Sequence, residues 1–218
     1  MNRIHNSLGR GAALVLLLAA SASAVTLSAV QDADVATGGG WDNSTLGGSD
    51  HISTNWAEAT SVIGHIQFDV SGLAPGSVQQ ATLRLFHDFN TVPGVDLDIY
   101  RVTSSWDEAT VTWPTRPSLA ASPSSTLSID GSDTSTEVWR EWDVTSLVQS
   151  WVNGAETNYG MALVRDPDAE PWPYLRSKDY SGDNHPELVV TVPEPASMAL
   201  AVACLLTGLL VRSRPLVA

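Results

Sequence analysis

The chain has 218 residues, of which 24 are acidic and 11 are Lys or Arg, so its formal net charge is −13. A surface this acidic repels phosphate groups, which excludes nucleic acid as an expected partner. The single cysteine, Cys204, excludes a disulfide within the chain and a cysteine-based metal site.

The first 24 residues have the pattern of a secretory signal peptide. Arg3 and Arg10 precede a short apolar stretch, which leads directly into the small-residue triplet ASA at residues 22–24. This order favours cleavage after residue 24 over a first transmembrane helix. We therefore expect an exported protein whose mature chain begins at Val25.

Residues 25–192 show apolar and polar residues alternating with a period of two, which is typical of half-buried strands. The inward-facing positions are predicted to be Ile66, Phe68, Val70, Ala81, Leu83, Leu85, Val95, Leu97, Ile99, Leu188, Val190 and Val192. Helical spacing is convincing only in DVTSLVQSWVNG, where Thr145 can cap the start and Gly154 can end the helix. We predict an all-β fold: an antiparallel two-sheet β-sandwich of jelly-roll type with one short helix.

Two similar stretches, FDVSGL at residues 68–73 and WDVTSL at residues 142–147, each follow a predicted strand. We predict that their Asp and hydroxyl side chains bond backbone amides where the strand turns a corner. Alternation along VWREWDV and the apolar face of the helix predict that Trp142 and Trp151 belong to the core.

Oxygen-bearing side chains near both ends of this domain suggest a calcium site. Asp32 and Asp34 lie near its start, and Asp183 and Asn184 lie near its end. Jelly rolls commonly place the first strand beside the last, and calcium prefers such oxygen ligands. The alternative is that Asp and Asn are simply turn residues.

Four aromatic residues in predicted loops are candidates for stacking on sugar rings. Trp41 and Trp56 flank the polar segment WDNSTLGGSD, and Trp172 and Tyr174 lie in EPWPY between prolines. The alternative is that each ring packs against the domain, and the large apolar area of such side chains favours that interpretation.

The sequence gives little support for catalysis. The domain's histidines are scattered, and the adjacent pair Asp107-Glu108 cannot face one glycosidic bond from an extended segment, so we interpret it as a solvated turn. A polysaccharide lyase or hydrolase would require converging carboxylates or a Tyr-His-Arg cluster. We expect no enzyme.

The C-terminus carries Pro193-Glu194-Pro195, an uncharged apolar run at residues 196–211, and then Arg212 and Arg214. As a helix the run is about 24 Å long, against roughly 30 Å of hydrocarbon in a bilayer. The tail resembles a PEP-CTERM sorting signal, which implies cutting by an exosortase-type protease and delivery to the envelope or the extracellular matrix. A plain membrane anchor is the alternative.

A second resemblance covers nearly all of residues 25–192. The stretches that carry it, in order, are WDNSTLGGSD, HIQFDVSGL, ATLRLF, DIYRVTSSWDEATVTW, WDVTSLVQSWVNG, NYGMALV and PELVV. In this order they resemble the DNRLRE domain, which overlaps a group of carbohydrate-binding modules. The resemblance implies a non-catalytic β-sandwich that binds glycan or attaches to a surface, sometimes with structural calcium.

We therefore expect three parts: a signal peptide at residues 1–24, a β-sandwich at residues 25–192, and a sorting signal at residues 193–218. Four basic residues and one acidic residue lie in the targeting ends, so the sandwich carries a formal charge of −16. The expected function is binding of polysaccharide or contribution to an extracellular matrix. The alternatives are a structural or adhesive envelope protein without a sugar site and, third, a lyase or hydrolase.

Overall fold

Ten strands and one helix make up the regular structure in this computed structural model, which describes residues 22–52, 59, 61–90, 93–165 and 172–194. The elements are β1 (Ala22–Thr37), β2 (His51–Ile52), β3 (Ser61–Phe68), β4 (Gln80–Phe89), β5 (Asp96–Arg101), β6 (Ser125–Ser128), β7 (Val138–Asp143), α1 (Thr145–Val152), β8 (Met161–Val164), β9 (Tyr174–Arg176) and β10 (Glu187–Pro193).

The strands form two layers that share β1. Its first half pairs with β10 and its second half pairs with β3, with a register shift between Ala29 and Gln31. The hydrogen-bonded order is β2-β9-β4-β10-β1-β3-β8-β5-β6, and β7 pairs with the other edge of β4. All of these pairings are antiparallel. The predicted antiparallel β-sandwich is confirmed.

The core lies between the layers and contains the residues that alternation predicted. Ten of the twelve predicted positions are buried, and Val95 and Val192 are partly buried against them. Trp142 is 1% exposed, and its indole Nε1 donates to the Leu97 carbonyl oxygen at 2.9 Å. Trp151 is also buried, so both tryptophan predictions are confirmed. A strand buries alternate side chains because they point to one face.

The N-cap of the helix lies one residue earlier than predicted. Val144 occupies the N-cap position, so the assignment of Thr145 as the cap is wrong. The hydroxyl of Thr145 instead accepts a hydrogen bond from the Ala81 amide at 2.9 Å, which ties the helix start to β4. Gly154, at φ 72°, follows the C-cap Asn153 as predicted, because glycine tolerates the left-handed region.

The two similar corners share one hydrogen-bond pattern. The Asp143 carboxylate accepts from the Thr145 amide at 2.9 Å, and the Asp69 carboxylate accepts from the Ser71 amide at 2.9 Å. These contacts confirm the predicted role of both aspartates. They turn the chain after β3 and β7 by satisfying amides that leave the sheet ladder.

A long loop between β5 and β6 covers the outer face of β1 and β3. Trp106, Val111 and Trp113 of this loop pack on Ala33, Val35 and Ile63. We call this region the covered face, and it also includes His65, whose ring centre lies 5.6 Å from that of Trp106. The Trp106 indole donates to the Tyr159 carbonyl oxygen at 2.8 Å. The second half of β1 is therefore buried on both faces.

Strand β1 begins before the predicted cleavage site, and its first residues pair with the end of β10. Ala22 pairs with Pro193, and cleavage after residue 24 would leave the pairs from Val25 to Ser28. The compact unit Ala22–Pro193 contains all of the strands and the helix described above. Residues 1–21 and the tail from Pro195, with Arg212 and Arg214, lie outside the described residues. Among the residues described, no helix is long and apolar enough to cross a bilayer.

Candidate functional site

The two described tryptophans among the predicted sugar-stacking residues pack into one cluster. Trp172 is 2% exposed and lies against Ala36, Leu46 and Val62, and Trp41 is partly buried on the same cluster. The guanidinium of Arg165 lies 4.3 Å from the centre of the Trp172 ring. Trp172 therefore offers no open ring face, and Trp56 lies outside the described residues.

Tyr174 has a different environment from these tryptophans. It lies on β9, and its ring stacks on that of Phe89 with a centroid distance of 4.2 Å and an angle of 21°. Phe89 is the last residue of β4, after a register shift at His87, and it is 45% exposed. Among the described residues, the large exposed apolar side chains are Phe89 and Val30.

Two further rings complete this group, which we call the aromatic surface: Phe89, Tyr174, His51 and Tyr180. The His51 ring stands edge-on to the other three, at centroid distances of 5.4, 5.7 and 5.3 Å. Its neighbour Ile52 and the neighbour of Tyr174, Leu175, point into the core. Because side chains alternate along a strand, His51 and Tyr174 face outward from the sheet.

An ion network supports the aromatic surface from within the sheet. The Asp88 carboxylate lies 2.9 Å from His51 Nε2 and accepts from Arg176 Nη2 at 2.7 Å. The Arg176 guanidinium lies 4.2 Å from the Tyr180 ring centre and donates to the Asp183 carbonyl oxygen at 3.0 Å. Burial alone would raise the pKa of Asp88, but these bonds lower it below its ordinary value. The ionised carboxylate therefore fixes the orientation of the histidine.

The aromatic surface combines apolar ring area with polar groups that are already oriented. This is the usual composition of a small-molecule or sugar site, in which rings supply contact area and a few polar groups supply direction. Sequence reasoning identified only Tyr174 of its four members. Phe89, His51 and Tyr180 come from separate segments that meet only when β2, β4 and β9 pair.

A second group of polar residues lies where β1 meets two loops. The carboxylates of Asp32, Glu108 and Asp179 have ligand atoms within 4.8 Å of one another. The Lys178 ammonium donates to Glu108 and to Asp179, at 2.7 and 2.8 Å. Burial raises the pKa of Asp32 to about 7. Burial lowers the pKa of Lys178, but the bonds to Asp179 and Glu108 outweigh it and raise that pKa above its ordinary value.

Of the four predicted calcium ligands, this group contains Asp32. Asp34 is fully buried and pairs with Gly64 within the sheet, whereas Asp183 and Asn184 are exposed in the loop before β10. Sequence reasoning did not identify Glu108 or Asp179, because nothing in their local pattern shows that the two loops meet.

The interpretation of Asp107-Glu108 as a solvated turn holds for one of the two residues. Asp107 is exposed, and its carboxylate accepts from the Ala109 amide at 2.9 Å, as in an ordinary turn. The side chain of Glu108 is only 22% exposed and pairs with Lys178, so for this residue the interpretation is wrong. Glu108 lies within the turn that this bond closes.

Two buried histidines occupy structural positions. His65 is fully buried on the covered face, and burial lowers its pKa to about 4. His87 is also fully buried, and its pKa is lowered mainly by burial. Both are therefore neutral near pH 7, and neither belongs to the aromatic surface.

Comparison with known proteins identifies the domain. Residues 23–192 match the model of carbohydrate-binding module family 96. Two curated relatives are the tRNA nuclease WapA of Bacillus subtilis (strain 168) and the tRNA(Glu)-specific nuclease WapA of Bacillus subtilis subsp. natto (strain BEST195), each 32% identical over 122 residues. These alignments cover 55% of this chain but 5% of each relative, so the names describe far longer proteins. The family match spans most of the chain and nearly all of its described structure, and the chain belongs to carbohydrate-binding module family 96.

Proposed function

We propose that this protein is an exported, non-catalytic module that binds polysaccharide through its aromatic surface. The observation that carries the proposal is the exposed stack of Phe89 on Tyr174, which lies on an outer sheet face. An apolar side chain of this size usually packs inside a domain, and its exposure favours a role in binding. Membership of a carbohydrate-binding family supports sugar as the ligand.

The chemistry of the aromatic surface fits a sugar ring. The C–H face of a pyranose packs on an aromatic ring, and its hydroxyl groups need donors and acceptors at the edge of that ring. His51 and Tyr180 lie at this position, and Asp88 holds His51 in place. Groups that are fixed before the ligand arrives lose little conformational entropy on binding.

The charge of the protein favours a neutral polysaccharide. The sandwich carries 23 acidic and seven basic side chains between the targeting ends. The negative potential of these side chains repels an anionic polysaccharide at distances longer than a direct contact, unless a cation lies between the two. A neutral glycan avoids this cost and is the expected ligand class.

We further propose that the protein reaches the cell envelope or the extracellular matrix. The predicted signal peptide would export it, and the predicted tail from Pro193 would hold it in the membrane until an exosortase-type protease acts. A carbohydrate-binding domain is expected where polysaccharide is present, which is outside the cytoplasm. Binding would then attach the protein to the matrix after its tail is cut.

One observation bears on the enzymatic alternative. Tyr174, His51 and Arg176 lie together, and these residue types also occur in lyase sites. However, His51 Nε2 is engaged by Asp88, and Arg176 is bonded to Asp88 and to the Asp183 carbonyl oxygen. A general base must reach the proton that it removes. We therefore assign these groups to binding.

The test is binding of the purified full-length chain to a panel of neutral and acidic polysaccharides, measured by affinity electrophoresis and calorimetry. We expect saturable binding to a neutral glycan. Loss of the ring in F89A should weaken it about tenfold, since one aromatic stack contributes roughly 1–1.5 kcal/mol. The matched control is V30A, which removes the other large exposed apolar side chain and should bind as the natural chain does.

The outcomes separate the three functions. Equal binding by F89A and the natural chain would place the site elsewhere, and no binding to any glycan would favour the structural or adhesive alternative. Release of shortened or unsaturated sugars during the assay would overturn the non-catalytic assignment. Y174F and Y174A add a further contrast, because only the second removes the stacking ring.

A further inference from the structure

Three segments that are distant in sequence bring carboxylates together at one point. Asp32 lies on β1, Glu108 lies in the loop after β5, and Asp179 lies in the loop after β9. Their ligand atoms lie within 4.8 Å of one another. We call Asp32, Glu108 and Asp179 the carboxylate cluster. Like charges at this distance repel, so their convergence requires a compensating group.

One member of the cluster has a polar atom without a partner. Asp32 is 1% exposed, and its Oδ2 accepts from the Lys178 amide at 2.7 Å. Its Oδ1 is buried and has no hydrogen-bond partner. Buried carboxylate oxygens are otherwise almost always bonded, because removing them from water is costly. The unsatisfied Asp32 Oδ1 therefore indicates that a ligand binds beside it.

The Lys178 ammonium balances only part of the cluster. It donates to Glu108 and Asp179, while Asp32 Oδ1 remains unpaired. With all three carboxylates ionised, one ammonium leaves an excess of negative charge. The side chain of Lys178 is 24% exposed, so it has a path to solvent if another cation takes its place.

The position of Glu108 is built into the surrounding loops. The backbone amide of Glu108 donates a hydrogen bond to the Gln31 side-chain oxygen at 3.3 Å, which holds this part of the loop against β1. A Cβ atom at Gly47 would collide with the side chain and the carbonyl oxygen of Glu108. The absence of a side chain at position 47 thus makes room for Glu108 beside β1. A solvent-open cavity lined by Thr45, Gly47 and Glu108 brings water to the Glu108 side of the cluster.

We propose that the carboxylate cluster binds a calcium ion, with Asp32, Glu108 and Asp179 as ligands and Lys178 displaced toward solvent. Calcium takes oxygen ligands at roughly 2.3–2.6 Å, so two of its ligands lie at most about 5 Å apart, which the cluster satisfies. Water from the adjoining cavity would complete the coordination. Magnesium requires a stricter octahedron and retains its own water, so it fits less well.

The ion would join β1 to both loops and thereby stabilise the fold. Binding to the folded state alone raises the free energy of unfolding by mass action. The test is calorimetric titration of the full-length chain with CaCl2 after treatment with EDTA, together with its melting temperature in CaCl2 and in EDTA. We expect saturable heat and a higher melting temperature in calcium, with a weaker response to MgCl2.

Variants identify the ligands. E108Q and D179N each remove one ligand charge from a partly exposed side chain and should weaken calcium binding roughly tenfold or more. D183N is the matched control, because it changes an exposed aspartate of the same loop outside the cluster, and it should bind as the natural chain does. Loss of binding in D183N with retention in D179N would overturn this ligand set.

Two other results would also overturn the proposal. The first is a natural chain that shows neither heat nor a change in melting temperature with calcium. The second is calcium binding by the K178Q variant but not by the natural chain. That result would mean that the Lys178 ammonium is the cation of the cluster in the natural chain. The inference is independent of the aromatic surface, since calcium binding is measured without glycan and F89A should leave it unchanged.

Discussion

The aromatic surface and the covered face are both outer sheet faces, yet their rings have opposite environments. On the covered face, the loop after β5 lays Trp106 and Trp113 over β1 and β3. On the aromatic surface, Phe89 stacks on Tyr174 and stays 45% exposed. Whether an aromatic residue is buried or stays exposed therefore depends on whether a loop covers its sheet face. The number of tryptophans in the sequence does not identify the site.

The largest effect should come from uncovering the covered face. W106A removes a ring that contacts the buried cluster and a hydrogen bond to the Tyr159 carbonyl oxygen. We expect a loss of about 3 kcal/mol in the free energy of unfolding, measured by urea denaturation. F89A is the comparison, and an equal loss in both variants would contradict the distinction between the two faces.

A pH effect should follow from the burial of His65. Its pKa is about 4 in the folded protein and 6.5 as an ordinary value, so only the unfolded chain takes up this proton as pH falls from 6.5 toward 4. This stabilises the unfolded state, and the loss should be about 2 kcal/mol between pH 7.5 and pH 5.

H65Q lacks this titrating group and provides the test. Urea denaturation in EDTA at both pH values gives the difference in stability between the natural chain and H65Q. Between pH 7.5 and pH 5, the free energy of unfolding of the natural chain should fall by about 2 kcal/mol more than that of H65Q. Other groups, including Asp32, titrate in both proteins and cancel. A difference that does not change with pH would mean that the covered face admits water or a proton to His65.

A smaller effect is expected beneath the aromatic surface. D88N removes the charge that orients His51 and pairs with Arg176, and these side chains are 13–15% exposed. We expect a loss of about 1–2 kcal/mol in the free energy of unfolding at neutral pH, together with weaker glycan binding. D98N is the control for removal of an acidic charge away from the aromatic surface, because Asp98 is a half-buried aspartate of β5 whose carboxylate accepts from the Thr126 hydroxyl. Unchanged glycan binding in D88N would show that His51 needs no support.

The smallest effect on stability should be that of F89A. The Phe89 ring is largely in contact with Tyr174 and solvent, so its loss should cost less than about 1 kcal/mol. Thermal and urea unfolding measure this directly. A cost comparable with that of W106A would mean that Phe89 is a packing residue, and its exposure would lose its significance for binding.

The sequence predicted the parts of this fold that depend on neighbours along the chain. Alternation located the inward residues of β3, β4, β5 and β10, and the Asp-containing corners followed from side chains bonding amides two residues ahead. The helix cap failed because the Thr145 hydroxyl bonds Ala81, which is distant in sequence. A local rule cannot include a competing partner that only packing brings near.

The candidate sites show the same limit. The position of Asp32 near the start of the domain predicts a cation ligand, but Asp183 and Asn184 do not join it in the cluster. Glu108 and Asp179 lie beside Asp32 instead, because two loops meet over β1. The sequence predicts Trp172 and Tyr174 alike as stacking residues, but the structure buries Trp172.

The sequence by itself determined the periodicity of the strands, the single short helix and the acidic charge, because each depends on residue type and short spacing. Only the tertiary structure decided which rings are open and which carboxylates converge. Both depend on the pairing of β2, β4 and β9 and on how the loops cover β1, and contacts between distant segments leave no periodic signal in one chain. The physical reason is that burial and proximity belong to the folded arrangement, while alternation belongs to the backbone.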